Sequence, residues 1–95
     1  FKAQYFLVKC SIGTTGSWLI YDTTRQPYNP NFRYLVAQNT NVERATSDED
    51  IDMLAAGIKC RSLNSSSNSN GKTYIYAAFA ENPFGGSGVA QAKAR

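Results

Sequence analysis

Residues 72–84, KTYIYAAFAENPF, carry apolar side chains on both faces of an extended run and stop at an Asn-Pro pair. Under a period of two, Thr73, Ile75, Ala77 and Phe79 point one way and Tyr74, Tyr76, Ala78 and Ala80 the other. Neither set is polar enough for a solvent face, so the pattern predicts a central strand covered on both sides, within the domain or at a subunit contact. In that position Phe79→Ala would cost about 3 to 5 kcal/mol.

Upstream of this run, Asn70-Gly71 is a strong turn dipeptide, and Gly57 to Ser62 alternates Ile58 and Cys60 with Lys59 and Arg61. Residues 57–80 therefore read as a hairpin with a long polar tip, NSSSNSNG. Before it, Ser47 can cap a helix, and the acidic run Asp48 to Asp50 suits the positive end of a helix dipole. Ile51, Leu54 and Ala55 supply an apolar face and Gly57 a stop, which predicts one short helix near residues 48–56.

At the other end of the chain, Ala3 to Cys10 and Trp18 to Asp22 are strand candidates joined through Gly13 and Gly16, and they read as an antiparallel hairpin. Thr23 to Asn31 holds two prolines and two asparagines and cannot continue a ladder, so it reads as a structured loop. Phe32 to Ala37 is a third strand. The fold class is all-β, an antiparallel β-sandwich of jelly-roll or concanavalin-like type, with one domain over residues 1–84 and a flexible Gly/Ala-rich tail over 85–95.

Ninety-five residues bury only about 60 to 65 per cent of their unfolded surface, so the core is thin and external support is expected. The first residue is Phe1, already in a strand-like run, which suggests a processed product or the end of a longer polypeptide. No apolar run approaches the ~18 residues of a membrane span, and no membrane insertion is expected. The net charge of +3 is the balance of ten Lys and Arg against seven Asp and Glu, and the basic residues are scattered singly, without the stripe that nucleic acid requires, so no nucleic-acid partner is expected.

With no His and only Cys10 and Cys60, the usual zinc sets and the Ser-His and Cys-His nucleophile arrangements cannot be built. Both cysteines read as inward-pointing small hydrophobes, either free thiols or a pair if their strands adjoin. Asp48, Asp50 and Asp52 stand at the first, third and fifth positions of a calcium loop, but Met53 and Lys59 occupy the places of its Gly and Glu. Asp22, Glu43 and Glu81 could pair for glycoside hydrolysis, yet nothing sets their separation. No catalytic residue, metal or cofactor is assigned.

Asp22 can hold Arg25 across a turn. Trp18, Tyr28, Asn29, Asn31 and Asn39 offer the loop aromatics and amides that a glycan or other receptor would contact. Asn64-Ser65-Ser66 matches a glycosylation acceptor, which carries little information in a Ser/Asn-rich loop.

Taken in order, FKAQYFLVKC, WLIYDTTRQPYNPN, IDMLAAGIKCR, NSNGKTYIYAAFAENPF and the closing AR resemble a module of tailed-bacteriophage virion proteins. Trp18, Asp22, Arg25, Asp52, Leu54, Gly57, Tyr74, Tyr76, Phe79, Glu81, Pro83 and Phe84 occupy the positions of its motifs, over nearly the whole chain. The resemblance implies the C-terminal, lectin-like part of a tail or tail-fibre protein, with the first half of the sandwich lying upstream in longer relatives. It further implies a non-enzymatic virion protein assembled in the bacterial host cytoplasm. Its expected partners are copies of itself, for instance in a trimer, other virion proteins and a host surface glycan. Asp22, Arg25, Gly57, Tyr74, Tyr76, Phe79, Pro83 and Phe84 would then be structural motif residues.

Overall fold

In a computed structural model, which describes residues 1–13 and 15–93, the longest strand is the first one, β1 (Ala3–Ile12), and it has a neighbour on each side. It pairs antiparallel with β2 (Leu19–Asp22) on one side and β7 (Thr73–Ala80) on the other. Beyond β2 lie β3 (Arg33–Val36) and β4 (Arg44–Ala45), giving a five-stranded sheet in the order β4-β3-β2-β1-β7. A separate two-stranded ribbon, β5 (Ile51–Leu54) and β6 (Gly57–Cys60), lies against one face of that sheet. The fold is all-β and antiparallel, a sandwich with one broad and one narrow layer.

The alternation in β1 suits an interior strand of the sheet. Phe6, Val8 and Cys10 point inward and are buried, while Tyr5, Leu7 and Lys9 take the other face. The register puts Phe6 beside Tyr21 on β2 and Ala78 on β7, so an apolar band crosses three strands. Leu19, Tyr21, Tyr34 and Val36 extend the band over β2 and β3, and Ile51 and Met53 of the ribbon close it from above. Tyr21 is fully buried and its hydroxyl donates to the Glu49 carbonyl at 2.7 Å, which ties the sheet to the segment leading into the ribbon.

The structure departs from three sequence expectations. The predicted helix near residues 48–56 is a single 3₁₀ turn, Ser47–Glu49, followed by β5. Ile51 and Met53 have the period-two spacing of a strand, and Ala55-Ala56 with Gly57 at φ +149° form a turn tighter than a helix end. The hairpin predicted over residues 57–80 does not form either: β6 pairs with β5 and β7 pairs with β1. Finally, β7 is an edge strand, not a central one, because β1 is its one neighbour in the sheet. Its two faces are assigned as expected, yet Ile75, Tyr76 and Phe79 are 50, 72 and 63 % exposed. A two-sided apolar pattern reports a demand for cover on both faces, not the number of hydrogen-bonded neighbours.

Cys10 on β1 of the sheet and Cys60 on β6 of the ribbon are both free thiols. The polar tip at residues 62–71 is folded rather than loose. Ser67 and Asn68 donate to the Asn64 carbonyl, the Asn68 amide donates to the Ser62 carbonyl, and the Tyr74 hydroxyl donates to the Ser65 carbonyl. Ser66 and Ser67 are buried, and the Ser66 hydroxyl accepts from Ser17 N–H. Gly16 makes this docking possible, because a Cβ there would stand 2.8 Å from the Ser66 Cα.

In the predicted tail, Gly86 and Val89 form an antiparallel bridge, and Val89 to Lys93 line a recess together with Phe1, Ala55 and Glu81. The last two tail residues, Ala94 and Arg95, lie outside the described residues.

Candidate functional site

Because the ribbon is narrower than the sheet, part of the inner face is left open. A cleft of about 400 Å³ lies there, with Phe6 and Val8 of β1 and Tyr74, Tyr76 and Ala78 of β7 on one side and Ile58 and Cys60 of β6 on the other. Phe1 and Lys93 stand at its rim and Ser67 contributes a polar group. The volume falls in the usual range for ligand pockets, about 300 to 1,000 Å³, and the lining is mainly apolar. Tyr76 is the side chain that makes the cleft open: its ring sits 6.0 Å from that of Phe6, with the rest of its surface uncovered.

Behind Ser67 lies a buried carboxylate that sequence reading missed. Glu49 accepts a 2.6 Å hydrogen bond from the Ser67 hydroxyl, and burial pushes its carboxyl above the ordinary range. Burial, with Glu49 nearby, also pushes the Cys60 thiol up, so the thiol stays protonated and is a poor nucleophile. The Tyr21 phenol is raised by burial and Glu49 as well. These groups have the chemistry of a satisfied polar plug under the core, and the cleft offers apolar contact.

A second region is the β2–β3 loop. Arg25 binds both Asp22, through its Nε at 3.2 Å, and Glu43, through Nη1 at 2.9 Å; Arg33 takes the other Glu43 oxygen at 2.9 Å. The Arg33 and Arg25 hydrogen bonds hold the Glu43 carboxyl below its ordinary value. Arg25 N–H also donates to Asp22 at 2.6 Å, so the expected turn pair exists and is one part of a larger network.

The five contact candidates are not brought together. Asn31 is 1 % exposed, and its amide donates to the Asp22 and Gln26 carbonyls. Asn29 forms a two-way hydrogen bond with the Met53 backbone on β5, at 3.0 and 2.9 Å. The Asn29 amide and the Asn31 NH₂ group frame the loop and bond internally. Tyr28, between them and the network, is 80 % exposed. Trp18 and Asn39 belong to the opposite end of β2 and β3, where Trp18 N–H donates to Gln38 and the Asn39 side chain accepts from Asn41 N–H. A four-residue strand separates the two ends by about 13 Å.

Of the remaining motif positions, Gly57 has its positive φ in the ribbon turn, Tyr74 holds the 62–71 loop, and Glu81 lies 3.5 Å from Lys2. Phe79 packs edge-on against Tyr5 on the outer face, while Pro83 and Phe84 are exposed beyond the sheet. Asp52 is buried and receives the Arg61 Nε at 2.6 Å, and Asp48 bonds to Thr46, so these two carboxylates serve local structure.

No curated protein and no solved structure matches this chain. A family described as a domain of unknown function (DUF7483) matches residues 1–83, a span that holds every strand of both layers. The chain therefore belongs to the DUF7483 family.

Proposed function

We propose that this chain is a non-enzymatic structural component of a tailed-bacteriophage virion, in the tail or a tail fibre, assembled in the bacterial host cytoplasm. In this role it joins copies of itself and neighbouring virion proteins. The observation that carries the reading is the uncovered half of the sandwich. Ile75, Tyr76 and Phe79 expose apolar surface on both faces of one edge strand, surface that copies of the chain or neighbouring proteins would cover. The similarity of the motif segments to phage virion modules supplies the class of assembly. Quantitative mass spectrometry of purified particles tests it. The expected result is a fixed copy number per particle, and absence from intact particles contradicts the reading.

A second reading, a carbohydrate-binding module that recognises a host surface glycan, rests on Tyr28. That ring is exposed on a loop fixed by Asn29 and by the Asp22, Arg25 and Glu43 network, an arrangement suited to stacking on a sugar. A glycan array with signal that Tyr28→Ala abolishes is expected on this reading, and an unchanged adsorption rate contradicts it.

A further inference from the structure

The two edges of the five-stranded sheet differ in length and in chemistry. One ends at β4, two residues long, containing Arg44 and adjoining the Glu43 ion pairs. This is a protected edge, short and charged. The other ends at β7, eight residues with no Lys, Arg, Asp, Glu or Pro among them, and the register shifts of the β1–β7 pair fall on β1. Among the described residues no strand pairs with its outer side. It lacks the devices that normally keep a long apolar edge from pairing.

We infer that the β7 edge pairs antiparallel with β7 of a second copy about a two-fold axis, joining two five-stranded sheets into one. This rests on the self-assembly reading above and names its contact. A head-to-tail ring, such as a trimer, would have to join β7 to the opposite edge, and two residues of β4 cannot match eight. A symmetric pair joins equal lengths.

The register follows from the hydrogen bonds. Glu81 N–H donates to the Lys2 carbonyl on the β1 side. Bonding alternates along an antiparallel strand, so Ile75, Ala77 and Phe79 face β1 with their backbone groups, and Tyr74, Tyr76, Ala78 and Ala80 face outward. An axis through Ala77 sets Tyr76 opposite Ala78 of the second copy and Tyr74 opposite Ala80. All four outward residues then pair, forming about eight inter-chain hydrogen bonds. On the outer face the same axis sets Ile75 opposite Phe79, a favourable aromatic and β-branched pair, and on the inner face each tyrosine meets an alanine.

The test is sedimentation equilibrium of the full chain. The expected result is a species of twice the 10.4 kDa chain mass that dissociates on dilution. Tyr76→Lys and Ala78→Pro, both on outward backbone positions, are expected to leave the circular dichroism unchanged and to weaken association at least tenfold. Ala77→Cys, at the axis, is expected to form an intermolecular disulfide under mild oxidation, while Lys59→Cys on the ribbon is not. A dimer or trimer indifferent to Tyr76→Lys and Ala78→Pro overturns β7 pairing while leaving self-assembly standing. A chain monomeric at every concentration overturns it too, and leaves the edge to a strand from a different protein. Absence from virions with the dimer intact removes the phage reading alone.

Discussion

The two halves of the inner sheet face are built from similar residues and end in opposite states. Over β2 and β3, Leu19, Tyr21, Tyr34 and Val36 are sealed beneath Ile51 and Met53 of the ribbon. Over β7, Tyr74, Tyr76 and Ala78 face a cleft, and Tyr76 is mostly exposed. Side-chain type does not separate the halves, since each contains tyrosine and aliphatic residues at period-two spacing. The difference is the width of the ribbon. Two four-residue strands roof part of a five-stranded sheet, and the remainder is left for another surface.

Substitutions on the two halves should therefore diverge, most of all at the tyrosines. Tyr21→Ala empties a fully buried site and removes the hydrogen bond to the Glu49 carbonyl, and is expected to destabilise by about 3 to 5 kcal/mol in urea unfolding. Tyr76→Ala, chemically the same change in the open half, is expected to cost under about 1 kcal/mol in the dissociated chain. Comparable losses at both positions would mean the cleft is closed in solution.

Gly16→Ala probes the closure from the loop side. The new methyl would meet Ser66 backbone at 2.8 Å, so the 62–71 loop must shift, and a loss of about 1 to 3 kcal/mol in thermal or urea melts is expected. Phe79→Ala is expected to cost less than about 1 kcal/mol without self-association, because Phe79 sits on an exposed face with Tyr5 as its aromatic neighbour. Its effect should grow with protein concentration if the edge is paired.

The smallest effect expected is in the pH dependence. Glu49 and Asp50 have carboxyls raised by burial, with Asp48 adding to both and Arg61 opposing the shift at Asp50. A raised folded-state value means that the charged form is disfavoured in the fold, so stability rises as pH falls from neutral through that value towards the ordinary carboxyl value. Glu43 is lowered, so its ion pairs stabilise above the ordinary value and are lost as pH falls below it. Glu49→Gln is expected to raise stability at pH 7 and flatten the slope on the acidic side of neutral, measured as urea midpoints across pH. A slope unchanged in Glu49→Gln would mean the carboxyl is solvated.

Much of the sheet was legible from local pattern. The β1–β2 hairpin, β3, the ribbon strand β6 and both faces of β7 follow from period-two alternation and Gly-marked turns. What was not legible depends on distant pairing. Asp48 to Asp50 resembles a helix start, and nothing local reveals that Ile51 will bridge to Asn31 and lie over Tyr21. Ile51 and Met53 two apart, followed by the Ala-Ala-Gly turn and Ile58, carried the available signal for β5. Glu49 between two aspartates has the look of surface, and its burial needs Ser67 from a loop 18 residues on. Asn29 and Asn31 have the composition of a binding loop, while their amides hold backbone of β5 and the loop itself.

Residue-resolved amide exchange along β7, in the dilute Tyr76→Lys chain, tests most directly whether this strand is a one-sided edge. The expected result is alternation, with Ile75, Ala77 and Phe79 protected by β1 and residue 76, Ala78 and Ala80 exchanging rapidly. Uniform protection from Thr73 to Ala80 would place a second strand on the outer side of β7 within the same chain and contradict the edge assignment.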